Sequence, residues 1–159
     1  MKAPTTWAAW RSDLAARVGA LADGESLLVE APERASRRAK AGRRLLLPAP
    51  RVPTRPWVRL TRMEDLLRGT CVGPEVFHGA FPWSADEHAD LLRLGWHLSH
   101  ADGSDYVRFW PDDVPHGPYL PATDAERAAA AVRTTVVEVL DPAVVREDDA
   151  PTLPTVTSA

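Results

Sequence analysis

The stretch Ser84–Trp110, SADEHADLLRLGWHLSHADGSDYVRFW, constrains the fold more than any other part of the chain. Ser84 followed by Glu87 is a reciprocal capping box: the serine oxygen accepts an orphan N–H of the first turn, and the glutamate reaches back to the serine's own N–H. Leu91, Leu92 and Leu94 then supply a buried side. Gly95 ends the helix, because glycine tolerates the left-handed conformation that closes one. Trp96–His100 and Tyr106–Trp110 flank the polar stretch Ala101–Asp105, the pattern of a β-hairpin with a loop of about five residues. A unit that specifies its own helix and hairpin, yet carries no catalytic signature, points to a binding module rather than an enzyme.

Similar patterns extend along the chain. Trp7, Trp10, Leu14, Val18 and Leu21 recur at the spacing of one apolar helix face. A helix is expected from Trp7 to about Ala22, capped by Thr5 or Thr6 and stopped at Asp23-Gly24. Glu25–Ala31 reads as a strand ending at Pro32. Trp57–Met63 alternates with period 2, with Val58 and Leu60 on one face, and Leu66–Val72 follows after a turn at Glu64-Asp65. These strands should form a meander with Glu25–Ala31. Glu75–Trp83 is a connection rich in aromatics. Thr123 with Glu126 repeats the capping pattern for a last helix to about Leu140, with Val132, Val136, Val139 and Leu140 on one side. The pattern implies an α+β fold with an antiparallel sheet of about five strands and three helices. One domain is expected over residues 1–145. From 146 to 159 the chain is acidic and then rich in Pro and Thr, the composition of a disordered tail.

Charge is unevenly placed. Residues 1–62 carry 13 Lys/Arg against 5 Asp/Glu, and residues 63–159 carry 6 against 17. Such an asymmetry marks a basic partner-facing surface or two halves that neutralise each other once folded. Much of the basic excess lies between Pro32 and Pro56, in Arg34, Arg37, Arg38, Lys40, Arg43 and Arg44. Pro48, Pro50, Pro53 and Pro56 follow or close that stretch and remove backbone donors, so a mobile basic loop is expected. Its functional reading is a contact for an acidic peptide or a phosphate backbone; its structural reading is a solvated linker.

Several chemistries lack their signatures. There is no GxSxG and no glycine-rich phosphate loop. Cys71 lies inside an expected strand, where a thiol is buried and inert rather than activated. The carboxylate pairs Glu64-Asp65, Asp112-Asp113 and Asp148-Asp149 fall in turns or the tail. His97 and His100 stand an odd number of positions apart on a strand and so face opposite ways, which separates them from a shared metal site with His116, Asp102 or Asp105. No metal or other cofactor is expected. No run approaches the roughly 20 apolar residues of a membrane span, and the opening residues lack the apolar core of a signal peptide, so no membrane partner and a cytoplasmic setting are expected.

The segments WVRLTRMED, SADEHADLLRLGW, YVRFWPDD and the Ala/Val-rich last helix ending in LDPAVV resemble the TY-Chap N-terminal domain of actinobacterial proteins, a family related to YbjN-like proteins and type III secretion chaperones. The opening WAAWRSDLAARVGALADGESLLVE also fits that family's first helix and strand. The resemblance implies a non-enzymatic, peptide-binding chaperone or adaptor, often a homodimer, with a helix–sheet surface that holds a partner segment in a non-globular state. The long basic connection at 32–56 departs from that pattern and puts the family's first β-hairpin in doubt. On this reading Trp57, Phe77, Phe81, Trp83 and Trp110 are the candidate partner contacts, since large aromatics in loops or at strand ends favour interfaces. A regulatory or immunity-type protein that binds one folded partner is the second reading. Nucleic-acid binding through the arginine-rich loop is the third, opposed by the acidic second half.

Overall fold

A computed structural model of the chain describes residues 5–40, 50–99, 104–111, 122–141 and 153–159. Helix α1 (Trp7–Gly19) begins where the sequence places it: Thr6 Oγ1 accepts the Ala9 N–H at 3.2 Å, and Trp7, Trp10, Leu14 and Val18 form the buried stripe. It closes at Ala20 rather than Ala22, and the turn at Asp23-Gly24 leads into β1 (Ser26–Glu30). Strands β2 (Arg37–Lys40), β3 (Arg51–Thr54), β4 (Trp57–Met63) and β5 (Leu66–Cys71) follow. Helix α2 (Ala85–Arg93), strands β6 (His97–Leu98) and β7 (Tyr106–Trp110), helix α3 (Ala122–Thr135) and strand β8 (Thr155–Ser158) complete the order.

Six strands form one sheet in the order β6-β7-β5-β4-β1-β8, with every pairing antiparallel. The α+β class and the expected meander of β1, β4 and β5 are both present. The sixth strand is the correction. Thr155–Ser158, assigned from composition to a disordered tail, instead pairs with β1, Val156 opposite Val29 and Thr157 opposite Leu28. A second correction concerns the basic stretch. Its described parts form a separate hairpin, β2 against β3, with Pro53 opposite Arg38. A two-stranded ladder has only edge strands, and an edge tolerates a residue that cannot donate. Arg43 and Arg44 lie outside the described residues, as do His100, Asp102 and His116.

One face of the sheet carries the core. Leu27 and Val29 of β1, Val58 and Leu60 of β4, Leu67 and Cys71 of β5 and Tyr106 and Trp110 of β7 are buried against α1, α3 and Leu91 of α2. Period-2 alternation sends Leu28, Trp57, Arg59, Met63, Val107 and Phe109 to the opposite face, where Met63, Arg59 and Phe109 are exposed. Helix α2 has its capping box in place, Glu87 N–H to Ser84 Oγ at 3.2 Å and Ser84 N–H to the Glu87 carboxylate at 2.9 Å. Leu92 does not join its buried side: it is exposed, because it stands one residue, about 100°, around the helix from the buried Leu91. Gly95 ends the helix at φ +87° as expected. Helix α3 starts at Ala122, one residue before the expected cap Thr123, and its last turn, Val136–Leu140, widens to a π-type turn closed by Asp141 N–H to Val136 O at 2.8 Å.

At the β7 side of the sheet Trp96 and Trp110 meet edge to face, ring centroids 6.2 Å apart, above Gly69. A Cβ at Gly69 would come within 2.8 Å of the Trp110 ring, so the two rings require glycine there. Both tryptophans are fully buried, and the Trp96 indole N–H is satisfied by Thr135 Oγ1 at 3.0 Å.

Candidate functional site

The opposite edge of the sheet is built differently. Antiparallel pairing alternates the direction of backbone groups along a strand. In β1, Glu25 and Ala31 bond toward β4 through Arg62 N–H and Pro56 O, so Leu27 and Val29 face that way too. Ser26, Leu28 and Glu30 face outward, and Ser26 O accepts the Ala159 N–H at 3.0 Å. This outward row is the edge on which β8 lies.

Helix α1 walls that edge. Trp10 and Arg17 are seven positions apart, about 20° short of two full turns, so they share a stripe of the helix. The Trp10 indole donates to Pro154 O at 3.1 Å, and the Arg17 guanidinium donates to Val156 O at 2.9 Å. Two side chains of the helix therefore hold two backbone carbonyls of an extended segment. Of the segment's own side chains Pro154 is buried and Val156 packs against the core, while Thr155, Thr157 and Ser158 are exposed. Trp10 itself is a core residue, 2 % exposed. Pro154 O satisfies its indole N–H, a bond worth about 0.5–1.5 kcal/mol. The edge thus offers two side-chain donors to an extended occupant.

The five aromatics named as partner contacts are not gathered in one place. Phe81 and Trp110 are fully buried and Trp83 is 7 % exposed, its indole bonded to Val72 O at 2.8 Å. Phe81 and Trp83 pack together at 4.3 Å between ring centroids. In this conformation these three belong to the core. Phe77 is half exposed beside Val76, on the 3₁₀ turn Glu75–Phe77. Trp57 is half-buried on the open face, under the guanidinium of Arg59 at 5.7 Å. It stands opposite Glu30, which in turn stands opposite Thr155, so one cross-strand row joins it to β8.

The described basic residues are largely engaged within the fold. Arg34 donates to Asp141 at 2.9 Å, and Arg37 forms a two-pronged pair with Glu87. Burial alone would raise the Glu87 carboxyl, but hydrogen bonds from Arg37 and Ser84 hold it below the ordinary glutamate value, and the same contact raises Arg37. Arg38 donates to Arg51 O at 3.2 Å, tying β2 to β3. Lys40 keeps an exposed side chain.

Burial drives the Cys71 thiol far up its range, with the charge of Asp105 adding, so it is no thiolate nucleophile. Tyr106, whose hydroxyl meets His88 Nδ1 at 2.6 Å, is raised by burial and then by Cys71. An open trough of about 900 Å³ between α1 and α3 is lined largely by small residues, including Ala15, Ala16, Gly19 and Ala125. Among the described residues no group of three or more His, Cys, Asp or Glu side chains is arranged to hold a metal ion, and no helix is long and apolar enough to cross a membrane.

Sequence reasoning missed the β1 edge. Its signal was present as the alternation Thr155-Val156-Thr157, β-branched residues in the pattern of a strand, hidden by the prolines and acids before it. No curated protein and no solved structure matches the chain. A family model does: TY-Chap3, described as T3SS (YopN, CesT) and YbjN peptide-binding chaperone 3, matches residues 2–150, and β8 lies beyond the matched stretch. A helix-backed antiparallel sheet and a match spanning nearly all of the chain lead to one conclusion: this protein belongs to the TY-Chap3 family of peptide-binding chaperones.

Proposed function

We propose that the protein is a non-enzymatic chaperone or adaptor, acting in the cytoplasm without a cofactor, that holds an extended segment of a partner protein as an added strand on the β1 edge. The observation that carries this reading is the pair of α1 side chains, Trp10 and Arg17, that donate to backbone carbonyls of an extended segment on that edge. Recognition through main-chain groups suits strand addition, in which hydrogen bonds give affinity and alternate side chains give selectivity. Trp57 is assigned to the partner surface because it shares the open-face row with Glu30 and Thr155, and Phe77 supplies a second exposed aromatic. Arg34 and Arg37, already paired with Asp141 and Glu87, leave the nucleic-acid reading weaker than the peptide reading.

The test is titration of a chain ending at residue 152 with labelled extended peptides, followed by anisotropy and by amide shifts. Saturable binding that perturbs the Leu28 and Glu30 amides, and changes little between about 50 and 200 mM salt, is expected; phosphate-backbone contacts would lose orders of magnitude over that range. Absence of peptide binding, beside tight capture of one folded protein, would replace this reading with the regulatory one.

A further inference from the structure

Resting on the peptide-binding reading of the β1 edge, we infer that segment 153–158 is a built-in competitor for that site, and that partner segments share its chemistry: an extended strand with proline two positions ahead of a β-branched residue. The wall of the site explains the proline. By the alternation of β8, the backbone groups of residues 154 and 156 point away from β1 and toward α1. What α1 offers there is donors, the indole N–H of Trp10 and the guanidinium of Arg17. Position 154 is called on for an acceptor, the carbonyl that takes the Trp10 indole N–H. Proline has only the acceptor, and its fixed φ is compatible with the extended entry to a strand.

The β-branched residue follows from burial. Residues 154, 156 and 158 share the core face of β8, Val156 directly opposite Val29 and Ser158 opposite Leu27, but of the three only Pro154 and Val156 are covered. Selectivity therefore rests on those two positions, while Thr155, Thr157 and Ser158 are exposed and free to vary. The segment is also separable in kind from the rest of the fold. It lies outside the stretch matched by the family model. Its hold is chiefly through main-chain bonds that any extended segment can reproduce.

The test uses a dye-labelled peptide of residues 153–158, read by anisotropy against three forms of the protein: intact, ending at residue 152, and full length with Val156→Asp. The last retains the whole chain, with folding checked by circular dichroism, and covers the case in which the shortened form does not fold. The intact chain should bind the peptide at least about tenfold more weakly than either released form. A peptide with Val156→Asp should lose at least about tenfold in affinity for the released forms, because it sets a carboxylate against the apolar core beside Val29, and one with Pro154→Ala a smaller factor. Equal affinity of intact and released forms, or indifference to both peptide changes, would overturn the inference. Unrelated extended peptides that bind the released forms without being displaced by 153–158 would sink it while leaving the peptide-binding reading in place. Failure of every peptide with every folded form would end both. A concentration-dependent dimer of the intact chain, lost with Val156→Asp, would seat the segment on a second copy and overturn the competitor within one chain.

Discussion

The two edges of the sheet solve one problem in opposite ways. An unpaired edge strand invites association, and proteins shorten it or cover it. At one edge, β6 is only His97–Leu98, too short to offer much of a template. At the other, β1 is a five-residue strand, and its outward backbone row is occupied by β8. A tryptophan stands behind each end of the sheet, and their indole partners differ in the same sense. Trp96 donates to Thr135 on α3, inside the permanent core, whereas Trp10 donates to Pro154, on a segment that joins the sheet from outside the family-matched stretch. The β6 side is finished within the family-matched stretch, and the β1 side by a segment from outside it.

The contrast can be broken or sharpened by substitution. Trp96→Ala removes the largest contact of the β6 side and should cost about 3–5 kcal/mol in denaturant unfolding, with no recovery on adding the 153–158 peptide. Thr135→Val strips the Trp96 N–H of its acceptor in the core and should cost about 1–3 kcal/mol, again without recovery. Removal of residues 153–159 takes away the acceptors of Trp10 and Arg17 and the pairing with β1, and should also cost about 1–3 kcal/mol, but here saturating peptide should restore the midpoint. Trp10→Phe, which keeps a ring without a donor, should shrink the cost of that removal. Parallel responses of Thr135→Val and the truncation to peptide would erase the distinction between the two sides.

Smaller effects locate features independent of either edge. Ser84→Ala should cost about 1 kcal/mol through the lost cap of α2. The Glu87 carboxyl, held below its ordinary value by Arg37 and Ser84, stabilises the fold fully above the ordinary glutamate range. That contribution is lost as pH falls through the lower folded value. Glu87→Gln should therefore lower stability at neutral pH, by less than the cap does, and the gap to wild type should close on acidification in parallel urea titrations.

What was legible in the sequence was local. The Ser84–Glu87 box, the Gly95 stop, the α1 stripe and the period-2 strand Trp57–Met63 are set by neighbours within a few positions, and all four are present. What was not legible depended on distant partners. Thr155–Ser158 is too short to declare itself a strand and becomes one because the side of Leu27–Glu30 turned away from β4 lies beside it. Arg34 and Arg37 looked like a solvated basic loop because Asp141 and Glu87 are remote in sequence. Phe81, Trp83 and Trp110 sit near loops and strand ends, yet they fill the core, since side-chain volume is placed by the fold and not by the ends of elements. Trp10 was identified as a core residue from its spacing, but the direction of its indole N–H, which defines the site, is a tertiary fact.

Amide hydrogen exchange on the intact chain, resolved along β1, probes the exchangeable edge most directly. Leu28 and Glu30 face β8, whereas Leu27 and Val29 face β4, so neighbouring amides of one strand report on two different partners. If β8 leaves as a unit, Leu28 and Glu30 will exchange through an opening of lower free energy than the one that exposes Leu27 and Val29. If all four amides exchange together, only with global unfolding, β8 is a fixed part of the sheet and the β1 edge is not a site for an incoming strand.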